Sequence, residues 1–168
     1  MQHHPAIIKT QAWLEQVIIG LNFCPFAKKE FVNDTIYYHV CPQARLEKAL
    51  SDFSEQLSYL DQHPEIETTL FICSLGFRDF DDFLILLDFA NELLVNSGYE
   101  GVFQIASFHP DYCFEGEDVD DAANFKMESY ARVNTLNELR IALYKNGPCY
   151  ISFPVYDHGP SFWKQKKV

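Results

Sequence analysis

Dense runs of β-branched and aromatic residues alternate along this chain with longer stretches in which apolar residues recur every three or four positions. Leu46, Leu50, Phe53, Leu57 and Leu60 are spaced four, three, four and three, so they share one face of a helix predicted over residues 43–60. Trp13, Leu14, Val17, Ile18 and Leu21 follow the same rule and predict a first helix from about Thr10, a suitable N-cap. A third helix is predicted over residues 79–96, ended by Gly98 in the position that a left-handed cap prefers. Between these stretches, residues 35–40, 68–75 and 102–108 carry strand composition. Pro42, after Cys41, suits the first turn of the helix that follows. Further on, residues 136–144 pattern as helix, Gly147-Pro148 breaks the chain, and residues 149–156 pattern as strand.

Strand, helix, strand, helix, strand is the order of an α/β layer. It implies at least partly parallel pairing and right-handed crossovers. The expected architecture is therefore α/β: a small, partly parallel sheet with flanking helices and a C-terminal helix-strand appendage. No internal repeat or low-complexity segment interrupts it.

Composition narrows the function classes. With 168 residues, 48% of them hydrophobic, the chain supports one ordinary core and excludes general disorder. The net charge of −11 argues against phosphate-backbone binding as the main activity, so no nucleic-acid partner is expected. The longest apolar run, Phe83 to Leu87, ends at Asp88, far short of the roughly 20 residues a membrane helix needs. No basic segment and apolar core of an export signal open the chain, so a cytoplasmic location and reduced thiols are expected for Cys24, Cys41, Cys73, Cys113 and Cys149. The charge is uneven. Residues 1–125 hold six Lys+Arg against 21 Asp+Glu, whereas residues 126–168 hold seven against three. Such a shift marks either a boundary or a basic tail lying against an acidic body, and local fluctuation within one domain explains it equally well.

Two constellations could carry chemistry. In Asn22-Phe23-Cys24-Pro25-Phe26-Ala27-Lys28-Lys29, a helix opened by Pro25 would set Cys24 at its N-terminus, where the dipole and two lysines favour a thiolate nucleophile. The competing reading is a buried cysteine packed between Phe23 and Phe26. In Ala106-Ser107-Phe108-His109-Pro110-Asp111-Tyr112-Cys113-Phe114, His109 lies just past a strand, where α/β sheets gather ligands. There it could serve as a general base with Asp111 setting its tautomer, or it could simply bond to its own turn. Alternation of His109, Asp111 and Cys113 makes an incomplete metal set, so no metal is assigned. The acidic run of Glu115, Glu117, Asp118, Asp120 and Asp121 lacks the spacing of a calcium loop. No phosphate-cradling glycine loop, nucleophile elbow or zinc-protease pair is present, and no cofactor is implied.

Residues 6–125 resemble a mostly bacterial family catalogued as domain of unknown function number 1415. The resemblance rests on the run from Trp13 to Ala27, on Glu67-Thr68-Thr69-Leu70, on Asp81-Asp82-Phe83-Leu84, and on Ala106 to Tyr112 with Phe114, Asp121 and Asn124. It implies that Cys24 and His109 belong to signature segments, but it supplies no activity. After Phe125 the family's Asn-Arg-Ser-Pro-Tyr-Pro-like segment is replaced by Lys126-Met127-Glu128-Ser129-Tyr130. From there, Tyr130 to Val133, Leu136 to Leu143, Asn146 to Ile151 and Pro154 to Asp157 look like the stretch that precedes the catalytic histidine of papain-like cysteine peptidases. Residues 126–168 thus read as a divergent segment, fused or frame-disrupted, beside a family-like domain over residues 1–125.

The sequence therefore supports a small-molecule-binding protein or thiol-dependent enzyme with Cys24, His109 and Asp111 as catalytic candidates. Asn22, Lys28, Ser107, Tyr112 and Asn124 are its candidate ligand contacts. A non-enzymatic binding or assembly module and an inactive peptidase relic are the alternatives. The oligomeric state is left open.

Overall fold

The computed structural model describes residues 4–20, 22, 24 and 26–109, together with the backbone of 149–154. Among the described residues, four α-helices and four strands follow one another as α1 (Pro5–Trp13), α2 (Ala27–Val32), β1 (Ile36–Cys41), α3 (Leu46–Gln62), β2 (Thr68–Cys73), α4 (Phe80–Asn96), β3 (Ala106–Phe108) and β4 (Cys149–Pro154). A π-helical stretch, Leu14–Ile19, continues α1. The sheet order is β1-β2-β4-β3. β1 and β2 are parallel, with Cys41 beside Cys73, and β4 runs antiparallel to both β2 and β3. β3 therefore points the same way as β1 and β2, and the carboxyl ends of all three lie on one edge. The fold is α/β, and β4, the strand of the expected C-terminal appendage, lies between β2 and β3.

Period-two alternation divides the sheet between two cores. On one face Cys41, Phe71 and Cys73 pack with Phe53, Leu57 and Leu60 of α3 and with Phe83, Leu86, Ala90 and Leu94 of α4. On the other, Ile36, Leu70 and Ile72 pack with Ala6, Trp13, Leu14 and Ile18. Phe53 meets Phe71 edge-on at 5.6 Å, and Trp13 meets Phe108 edge-on at 5.5 Å, one aromatic contact in each layer.

Local structure departs from expectation where a cap or a turn decides. The first helix begins at Pro5 rather than Thr10. His4 Nδ1 accepts from the Ala6 amide at 3.2 Å, while the buried Thr10 hydroxyl donates back to the Ala6 carbonyl at 2.7 Å. The Gly20 amide reaches the Glu15 carbonyl at 2.9 Å, five residues back, and closes the π turn. Pro42 stays outside α3, which starts at Leu46. Asp79 caps α4 as its first-turn geometry requires, accepting from Asp81 and Asp82 at 3.0 and 3.4 Å, and Gly98 follows the helix with φ of 79°. β3 is shorter than residues 102–108 because the Val102 and Phe103 amides both turn back to the Tyr99 carbonyl at 3.0 Å. The helix expected over residues 136–144 lies outside the described residues.

Candidate functional site

His109 follows β3 directly and is 1% exposed. Its ring lies 5.1 Å from that of Phe80 and 4.9 Å from that of Phe83, in the first turns of α4. The α4 N-terminus thus roofs the histidine on the α3/α4 face of the sheet. Two βα loops converge on this edge. A Cβ at Gly76, between β2 and α4, would come within 2.7 Å of the Ala44 Cα, between β1 and α3, so only glycine lets the loops approach this closely. The next residue, Phe77, is buried with φ of 62°, a left-handed conformation that costs a bulky side chain of order 1–3 kcal/mol.

Cys24 takes the other layer. It is half-buried and packs against the core of Trp13, Leu14, Ile18 and Ile72, to which Phe108 also contributes. Phe108 and His109 leave successive positions of one strand, so they face opposite ways. Cys24 shares Phe108's side of the sheet and His109 has the other. The cysteine precedes α2 by three residues instead of capping it, and its carbonyl accepts from the Ala27 amide at 3.3 Å. Asn22 is exposed with φ of 54°, which its short polar side chain tolerates. Lys28 is exposed, and Lys29 pairs with Glu30 at 3.1 Å. Burial works to raise the Glu30 pKa, but the Thr35 hydroxyl donating at 2.6 Å and the Lys29 ammonium prevail, holding the carboxyl below its ordinary value. Ser107 is half-buried in β3 beside Ile151. Asp111, Tyr112 and Asn124 lie outside the described residues, as do Phe23 and Phe114 of the aromatic segments.

A group that the motifs did not single out surrounds Cys41. His39 Nε2 lies 2.8 Å from Asp52 Oδ1 of α3, and the His39 ring stacks on Phe71 at 5.4 Å. Asp52 also accepts from the Cys41 thiol. Burial, reinforced by this carboxylate, pushes the Cys41 thiol up to about 12. The available signal was period two: Tyr37, His39 and Cys41 alternate toward α3, where Asp52 interrupts an apolar face. Among the described residues, no group of three or more His, Cys, Asp or Glu is placed to hold a metal ion, and no helix is long and apolar enough to cross a membrane.

The family model described as a protein of unknown function, DUF1415, matches residues 5–143, and the chain belongs to that family. No curated protein and no solved structure matches it. The family match runs 18 residues past Phe125 through the segment from Tyr130 to Leu143, and the papain-like resemblance receives no support.

Proposed function

We propose that this chain binds a small molecule beyond the carboxyl ends of β1, β2 and β3, with His109 as the group that meets it. The observation that carries the reading is the imidazole's position, enclosed by Phe80 and Phe83 at the edge where the two βα loops converge. Open α/β sheets recruit ligands outside this edge. An imidazole there donates through one nitrogen and accepts through the other, so it can orient a polar ligand while the phenyl rings pack its apolar part. The left-handed Phe77 supports the reading, because backbone strain persists where neighbouring contacts over-determine it, often around binding sites. Screening a fragment library by amide chemical-shift mapping tests it. Shifts concentrated at Ser74–Asp79 and His109, and lost in His109→Asn, are expected; hits that map elsewhere refute it.

A second reading adds thiol chemistry. Cys24 is half-exposed and packs in the core that includes Phe108, the residue before His109. In this reading the Cys24 thiolate attacks an electrophilic ligand and His109 carries the proton. Because the two side chains leave opposite faces of the sheet, the shared ligand would have to wrap the β3 edge, with Asn22, Lys28 and Ser107 as its further contacts. Iodoacetamide labelling separates the readings. Slower Cys24 alkylation in His109→Asn favours cooperation, and an unchanged rate leaves the binding protein alone.

A further inference from the structure

The solvent side of α4 is apolar where a surface helix is ordinarily polar. Leu84, Ile85, Phe89 and Val95 are each between 37% and 48% exposed. Ile85 and Phe89 are about one turn apart and Leu84 and Val95 about three, so they form two rows along the helix. Asp81, Asp88 and Glu92, all exposed, run between the rows. α4 holds four carboxylates and no lysine or arginine, and its last turn, the negative end of the helix dipole, has no basic residue. Such a face fits an occupant that is both apolar and cationic.

Charge along the chain selects the occupant. Residues 1–109 hold six Lys+Arg against 15 Asp+Glu, residues 110–148 four against eight, and residues 155–168 three against one. A second copy of α4 would set carboxylates against carboxylates. The final segment instead joins Phe162 and Trp163 to Lys164, Lys166 and Lys167, which complements the face in both respects. It also starts in the right place. Pro154, the last residue of β4, is the register partner of Thr68, the first of β2. The Tyr99 hydroxyl donates to Asp61 at 3.4 Å, which sets the end of α4 beside the last turn of α3, the helix that leads into Thr68. The chain therefore leaves β4 at the C-terminal end of α4. From Pro154 to Trp163 an extended chain reaches about 30 Å, against about 25 Å for the length of α4.

We propose that residues 155–168, which lie outside the described residues, dock on the exposed face of α4, with Phe162 and Trp163 against Ile85 and Phe89 and the lysines against Asp88 and Glu92. Covering exposed apolar side chains drives the contact, and the charges fix its location. Exposed ion pairs add little singly, so the two aromatic residues carry most of the affinity. Because the segment is tethered, it meets α4 at an effective concentration roughly in the millimolar range, where weak contacts suffice. Docked there, it lies along the helix whose first turns enclose His109. The contact does not depend on the small-molecule reading of that histidine.

Zero-length carbodiimide coupling of the full chain at low concentration, read by peptide mass mapping, tests the contact. Cross-links within the monomer from Lys164, Lys166 or Lys167 to Asp88 or Glu92 are expected. The double variant Ile85→Ser/Phe89→Ser changes exposed side chains only and leaves every carboxylate in place. It should lower the docked-to-free ratio about tenfold, and the cross-link yield with it. Trp163 gives a readout without a cross-linker. Subtracting the emission of Trp163→Phe isolates its spectrum, which should be blue-shifted in the wild-type chain and move to the red in the double variant. Any of three results overturns the proposal: lysine cross-links that fall mainly on other carboxylates, cross-links confined to dimers, or a Trp163 spectrum that the double variant leaves unchanged.

Discussion

At the residue scale the cysteines are the sharpest reporters, because burial alone separates their behaviour. Cys24 is half-buried, whereas Cys41 and Cys73 are enclosed. Iodoacetamide on the native chain is expected to modify Cys24 in minutes and to reach Cys41 and Cys73 only after unfolding. Peptide mass mapping reads the order, and equal labelling of Cys41 and Cys24 would contradict the packing. The Cys41 thiol, raised from 9.0 to about 12, makes a second prediction. The folded state keeps this proton at pH values where the unfolded chain has lost it. The contribution is therefore intact below pH 9 and drains away as pH climbs toward 12, by about 1.4 kcal/mol per unit within that window. Urea midpoints of wild type and Cys41→Ala should change differently with pH across that window, and parallel curves would exclude the effect. The histidine's location was legible in the sequence because a residue just past a strand has few places to go. The Cys41–Asp52–His39 group was not, because it joins side chains from two elements whose pairing no local pattern encodes.

At the scale of the element, α3 and α4 were legible because a regular apolar face is itself the packing instruction. Phe53, Leu57 and Leu60 on the first, and Phe83, Leu86, Ala90 and Leu94 on the second, all reach the core. The first helix was harder. Its N-terminus is set by a histidine cap and a proline that no apolar spacing announces, whereas Trp13, Leu14 and Ile18 of the expected face are buried even though the helix passes through a π turn. Asp79 makes two bonds to the α4 amides next to the rings that enclose His109. Asp79→Ala is expected to cost about 1 kcal/mol in chemical denaturation. It should also broaden the His109 ring resonances, since the roof over the histidine loosens; sharp, unshifted resonances would dissociate the cap from the site. Gly76→Ala belongs here too. Its new Cβ would meet backbone at 2.7 Å, which cannot swing aside as a side chain could, so one of the two loops must move, at roughly 1–3 kcal/mol.

At the scale of the whole molecule, the strand that completes the sheet comes from the far end of the chain. β4 pairs with β2 over six positions and with β3 over three, and those two strands have no direct pairing with each other. No local pattern could have announced this, because antiparallel insertion between two strands already connected by a helix is a long-range choice. The consequence is physical. Without β4, the inner edge of β2 loses its ladder, and Leu70, Phe71 and Ile72, all buried, lie on an open edge. β3, only three residues long, loses its sole strand partner among the described residues, and with it the anchor that holds His109 beneath α4. A chain ended after Pro148 is therefore expected to lose cooperative thermal unfolding and to bind a hydrophobic dye at room temperature, while the full chain shows one transition. Restoring residues 149–154 as a separate peptide should recover part of the transition by strand addition. A truncated chain that melts sharply, with the His109 environment unchanged, would mean that β1, β2 and the helices hold the candidate site together by themselves.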